Sequence, residues 1–147
     1  GGEKDNVLPG RAEALINFRL LPGDTSDKVL DQVRRAVHDD GIDIAPAYPA
    51  DEPSPVSSVT SASYQVIERT IREVLPGTVV APGLMIAATD SRHMTAVAED
   101  IYRFSPVRAQ STDLPRFHGT DERMAVSNYV ELIRFYAALL QNAAGGN

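Results

Sequence analysis

A-E-A-L-I-N-F-R-L-L-P-G-D-T, Ala12 to Thr25, is the stretch from which the fold class can be read. Between Ala12 and Leu21, Ala14, Ile16, Phe18 and Leu20 share one face of an extended chain, and Leu15, Asn17 and Arg19 share the other. That alternation predicts a strand with one apolar face. Pro22-Gly23 ends it, and Thr25 or Asp24 then caps a helix from Ser26 to about His38. Val29, Leu30, Val33 and Val37 form the apolar stripe of this helix. Asp39-Asp40-Gly41 closes it, and Ile42 and Ile44 alternate with Asp43 in a second strand. Strand, helix, strand is a two-layer unit that needs further elements to complete its core.

On the N-terminal side, Asn6-Val7-Leu8-Pro9-Gly10 ends a short extended piece in a turn. On the other side, Ala45 to Ser58 carries four prolines in 14 residues, which forbids a helix or a central strand and marks a linker or a crossover. A domain boundary therefore falls near residue 50, between a unit of residues 1–50 and one of residues 51–147. Ser61 to Leu75 has helical periodicity, with Tyr64, Ile67, Ile71, Val74 and Leu75 on one side, and Pro76-Gly77 stops it. Thr78 to Thr89 is almost wholly apolar, as in strand pieces buried on both faces, with a bend at Pro82-Gly83. Asp90 or Ser91 caps a helix carrying Met94, Val97 and Ala98, and Ile101 to Val107 is a strand that Pro106 confines to an edge or an end. A last helix spans Arg123 to Asn142, with Val126, Tyr129, Val130, Ile133, Tyr136, Ala137 and Leu140 on one face. The alternation of helices and strands predicts an α/β fold.

Composition excludes several functions. Among 147 residues, 14 basic against 20 acidic give a net charge of −6 with no basic stripe, which argues against nucleic acid as a partner. No apolar run approaches a membrane span. The absence of cysteine rules out disulfides and thiolate metal sites, and leaves the compartment open.

Three polar clusters stand at element ends, where side chains reach a cleft. Asn6 and Arg19 pair an amide with a guanidinium, a carboxylate clamp if neighbouring strands turn both to one side; otherwise they belong to a solvated strand face. T-D-S-R-H, Thr89 to His93, follows an apolar run and opens a helix, and Arg92 there suits an anionic group. Asp90 reads as a plain cap and His93 as a surface residue. F-H-G-T-D-E-R, Phe117 to Arg123, sets His118 before a glycine at a helix start, with Thr120 and Asp121 as caps. Its imidazole suits metal binding or proton transfer, against the plainer reading of a half-buried loop histidine bonded to backbone. The three histidines show no H-E-x-x-H, H-x-H or H-x-D spacing, so no complete metal site is present.

Taken in order, K-D-N-V-L-P (4–9), I-N-F-R-L-L-P-G-D-T (16–25), A-T-D-S-R-H-M (88–94), Y-R-F-S-P (102–106) and H-G-T-D-E-R (118–123) resemble the C-terminal part of the zinc aminoacylase/carboxypeptidase family. That family includes carboxypeptidase G, the Gly-X carboxypeptidases, succinyl-diaminopimelate desuccinylase and N-acyl amino acid hydrolases. The resemblance implies that residues 1–50 are the second half of a ferredoxin-like α+β lid that mediates dimerisation. Residues 51–147 would then be the C-terminal part of an α/β catalytic domain. By motif match, His118 is a ligand in a site of two zinc ions in the complete enzyme. Arg92 faces the substrate from the catalytic domain, and Arg19 with Asn6 binds the substrate carboxylate from the lid. The implied reaction is hydrolysis of an amide bond next to a free carboxylate, in a small peptide or N-acyl amino acid, by metal-activated water. The family's H-x-D pair, bridging Asp and Glu-Glu pair do not appear, so no catalytic residue is assigned in this chain. On its own the chain is expected to be inactive, and to need its missing N-terminal catalytic part or aggregate. The alternative is a non-catalytic dimerisation or carboxylate-binding module.

Overall fold

The computed structural model describes residue 6 and residues 8–145; Lys4, Asp5 and Val7 of the K-D-N-V-L-P motif lie outside them. The chain divides into two compact units, Gly1–Pro55 with Ile86–Ala88, and Val56–Met85 with Thr89–Asn147.

The first unit holds one helix, α1 (Ser26–Val37). Immediately before its cap, Leu21-Pro22-Gly23-Asp24 forms a turn closed by Asp24 N–H donating to the Leu21 carbonyl at 3.0 Å. Gly23 takes φ +92°, as the third residue of a type II turn requires, and Pro22 fixes the residue before it. Thr25 is the cap; its Oγ1 accepts from Lys28 N–H at 3.3 Å. The Glu52 carboxylate also stands at this helix end and accepts from Ser26 N–H at 3.2 Å to each oxygen, where the helix dipole favours a negative charge. The proline-rich stretch is thereby tied back onto α1. His38 ends the helix in the left-handed conformation, with φ 47° and its N–H on the Arg34 carbonyl. Nothing in α1 is fully buried: Val29, Leu30 and Val33 are half-covered, and Val37 is exposed.

The second unit is built on α2 (Ala62–Val74) and α3 (Val126–Ala144), which pack against each other. Ser61 caps α2 through Tyr64 N–H, and the Leu75-Pro76-Gly77-Thr78 turn that follows repeats the Leu-Pro-Gly turn of the first unit, with Gly77 at φ +81°. The α2 stripe matches its sequence pattern, with Ile71 buried and Tyr64, Ile67, Val74 and Leu75 half-buried. The α3 stripe does not. Val126, Tyr129, Val130, Ile133, Tyr136 and Leu140 remain exposed, while Asn128, Leu132, Phe135, Leu139 and Asn142 are buried or half-buried. These five recur at alternating steps of four and three, a seam of helical period. The helix is apolar on two sides, and Phe135, the buried Asn128 and the half-buried Asn142 settle which side faces inward. Phe135 meets Phe104 and Tyr136 edge-on, at centroid distances of 5.3 and 5.4 Å. Asn142 Nδ2 donates to Thr70 Oγ1 at 3.0 Å and to Glu73 Oε2 at 2.8 Å.

The strands are a correction. Among the described residues no β-ladder forms, so the strand half of the α/β expectation is not realised in Ala12–Leu21, Ile42–Ile44, Thr78–Thr89 or Ile101–Val107. A strand exists through a backbone partner, and from Ile101 to Arg108 side chains occupy some of the backbone groups instead. The Ser57 hydroxyl takes Ile101 N–H at 2.7 Å and donates to the Ile101 carbonyl at 3.0 Å, and Asn128 does the same farther along. Two short 3-10 segments, Asp90–Ala96 and Ser111–Arg116, complete the unit. The first stands where a helix capped by Asp90 or Ser91 was expected; Thr89 takes the cap position without a side-chain bond.

Candidate functional site

His118 lies just past the second 3-10 segment, and its surroundings are local and polar. Gln110 N–H donates to Asp113 Oδ2 at 2.9 Å, which closes a capping box. Asp113 Oδ1 then receives Arg116 NH1 at 2.6 Å. Arg116 Nε lies 3.6 Å from Asp121, and Asp121 also pairs with Arg123 at 3.4 Å. Glu122 reaches back to accept the His118 N–H at 3.1 Å. Gly119 closes the bend by donating its N–H to the Arg116 carbonyl at 2.8 Å. A Cβ on Gly119 would lie 3.1 Å from that same oxygen, which explains the glycine.

Within this frame His118 sits at φ 60°, a conformation uncommon outside glycine and sustained only by surrounding bonds. Its imidazole is exposed and only its backbone N–H is engaged among the contacts described, so the ring is presented outward. The caps expected at Thr120 and Asp121 are not formed: α3 starts at Val126 after Ala125, with no side-chain cap. Asp121 is held instead by the two arginines, five residues before α3 begins. Arg116, Asp113 and Glu122 were missed as supports of His118. The Asp-x-x-Arg spacing from 113 to 116 was the available sign, because it puts both charges on one side of a single turn.

Arg92 lies in the first 3-10 segment, half-buried, with its N–H on the Thr89 carbonyl at 3.1 Å. Beside it, Arg103 Nε donates to Ser91 Oγ at 2.6 Å, a cation the sequence reading passed over. Arg92 and His118 belong to one unit. Asn6 and Arg19 belong to the other, where both are exposed and no hydrogen bond joins them among the described residues. Nor do three His, Asp or Glu side chains converge anywhere among the described residues, so the donors present do not by themselves fit a metal ion. A shallow hollow of about 390 Å³ beside Glu68, Arg69 and Glu73 on α2 contains none of the candidate residues. No described helix is long and apolar enough to cross a membrane.

The base of the His118 loop is tied by charge. Arg108 Nε and NH2 reach the two Glu131 oxygens at 2.7 and 2.9 Å, a bidentate pair. Its hydrogen bonds hold the Glu131 carboxyl below its ordinary 4.5, and hold Arg108 more firmly protonated. A depressed carboxylate stabilises the fold above its unfolded pKa and loses that contribution as pH falls through the folded value. Glu131→Gln is thus expected to unfold more easily than the parent at neutral pH and equally easily well below pH 4.5. Thermal melts across that range check this, and an unchanged gap at acid pH would count against it.

Residues 1–44 match the family described as the peptidase dimerisation domain. The chain is 45% identical over 141 residues, 96% of its length, to the probable carboxypeptidase S-like 2 of Dictyostelium discoideum. It is 38% identical over 97% of its length to the N-fatty-acyl-amino acid synthase/hydrolase PM20D1.1 of Danio rerio. With PM20D1 of Homo sapiens it shares 37% over 97%. It spans 27%, 28% and 29% of those three relatives, little over a quarter of each. No solved structure gives a significant match.

Proposed function

The chain belongs to the aminoacylase/carboxypeptidase family of peptidases, and from that premise we propose that it forms part of a zinc-dependent hydrolase of amide bonds next to a free carboxylate. The names of the relatives support the reaction class, since they describe a probable carboxypeptidase S-like protein and N-fatty-acyl-amino acid synthase/hydrolases. The observation that carries the site is the strained, outward-facing His118, fixed by Glu122, Arg116 and Gly119. In the proposal its imidazole is one ligand of a metal centre whose other donors, and whose general base, lie outside this chain. Segments patterned as strands but unpaired here would find their partners in the complete α/β protein.

Arg92, Arg19 and Asn6 orient the substrate, the last two as a clamp on its carboxylate. A guanidinium grips a carboxylate with two parallel bonds, which an ammonium cannot reproduce. Arg19→Lys in the whole protein is accordingly expected to raise KM about 10-fold or more with kcat little changed. Steady-state kinetics on an N-acyl amino acid decide it, and an unaltered KM would remove Arg19 from the clamp.

The direct test replaces His118 by Asn in the whole protein, with bound zinc and turnover measured together. Loss of both supports the reading, and retention of both ends it. A second reading rests on the dimerisation-domain match over residues 1–44: the first unit pairs two subunits without taking part in chemistry. Sedimentation of the whole protein with Leu15 and Ile16 changed to Ser distinguishes it, since a dimer contact would weaken while turnover per subunit persisted.

A further inference from the structure

Asn128 is one of the few fully buried polar residues described, and it lies in the first turn of α3, far along the chain from the backbone it serves. Its Oδ1 accepts Arg108 N–H at 3.0 Å, and its Nδ2 donates to the Pro106 carbonyl at 2.8 Å. A carbonyl at one residue and an N–H two residues later are what a parallel strand bonds with a single residue of its neighbour. The carboxamide therefore stands in for a strand. The same Nδ2 lies 3.1 Å from Glu131 Oε2, which grips Arg108 in turn. These contacts join the two ends of one loop: Pro106 and Arg108 enter it, Asn128 and Glu131 leave it, and His118 lies midway. Pro106 is buried at the junction, so water does not compete for its carbonyl.

We infer that Asn128 is the positioning residue of the loop that carries His118, acting through the loop's base; the role in turnover rests on the reading of His118 given above. Removing the amide frees both ends, because the buried Pro106 carbonyl and Arg108 N–H lose their partner together. The ion pair and backbone bonds near His118 are too exposed and short-range to hold the whole loop in their place.

The test compares Asn128→Ala with Asn142→Ala in the whole protein, because Asn142 is the other amide of the α3 seam and bonds α2 instead. Asn128→Asp serves at low temperature if the alanine variant fails to fold. Hydrogen exchange across residues 109–123 is expected to accelerate about tenfold in the Asn128 variant only, with α2 protected as before. In the same variant kcat is expected to fall more than KM changes, whereas Asn142→Ala moves only the melting temperature. Unchanged exchange in the loop, or equal acceleration by both variants, overturns the inference. Accelerated exchange with full turnover also overturns the positioning role, provided His118→Asn is inactive. If His118→Asn is itself active, accelerated exchange still supports the loop closure, and the hydrolase reading of His118 is what fails.

Discussion

Phe135→Ala is expected to lower the free energy of unfolding by about 3–5 kcal/mol, the largest loss of any single substitution in the second unit. The ring is 1% exposed, and Ile71 is the other fully buried apolar residue among those described, so little else can fill the space left behind. Two edge-on contacts, to Phe104 and Tyr136, vanish with it. Phe104 belongs to the segment that Asn128 ties down, so the damage spreads to the entry of the His118 loop. Leu at 135 retains most of the buried area and is expected to cost less than half as much. Denaturant midpoints at constant slope measure both, and a loss near 1 kcal/mol for alanine would mean that the α2–α3 seam is not the core.

His118→Asn is expected to reduce kcat/KM in the whole protein by at least about a thousandfold, the rate equivalent of the several kcal/mol a catalytic metal supplies. Asparagine is chosen because it tolerates the left-handed backbone that alanine resists, so the loop keeps its path and only the imidazole is lost. The exposed ring contributes little to stability, and the melting temperature should move by a degree or two at most. A large kinetic loss with a small thermal one is the signature of a functional side chain. Equal turnover would return His118 to the plainer reading, an exposed loop residue held by its own backbone.

Helices were legible because their signals are local. Thr25 and Ser61 lie one residue before the helices they cap, and each Leu-Pro-Gly turn encodes its geometry in consecutive residues. The α3 face was not legible in the same way. Val126, Tyr129, Ile133 and Leu140 make as good a stripe as Leu132, Phe135 and Leu139, and only contacts with residues far along the chain choose between them. The strands failed for a related reason: alternation in Ala12–Leu21 records two faces, but a ladder depends on what lies alongside. At the site, His118 was found from its neighbours Gly119, Thr120 and Asp121, although the caps expected at the last two do not form. Asn128, ten residues away, carried no local sign of its bond to Pro106.

A helix side chain standing in for a strand has a consequence for insertions and deletions. Each residue advances a helix by about 100°, so one residue added between Asn128 and Phe135 would swing the amide away from Pro106 and Arg108 unless the N-terminal part of the seam turned the whole helix back with it. Turning back would carry Phe135 and Asn142 out of their seats on the same seam. The helix is thus locked in rotation as well as in place, and its exposed row from Val126 to Leu140 keeps one fixed bearing. Length changes are therefore not tolerable between Asn128 and Asn142.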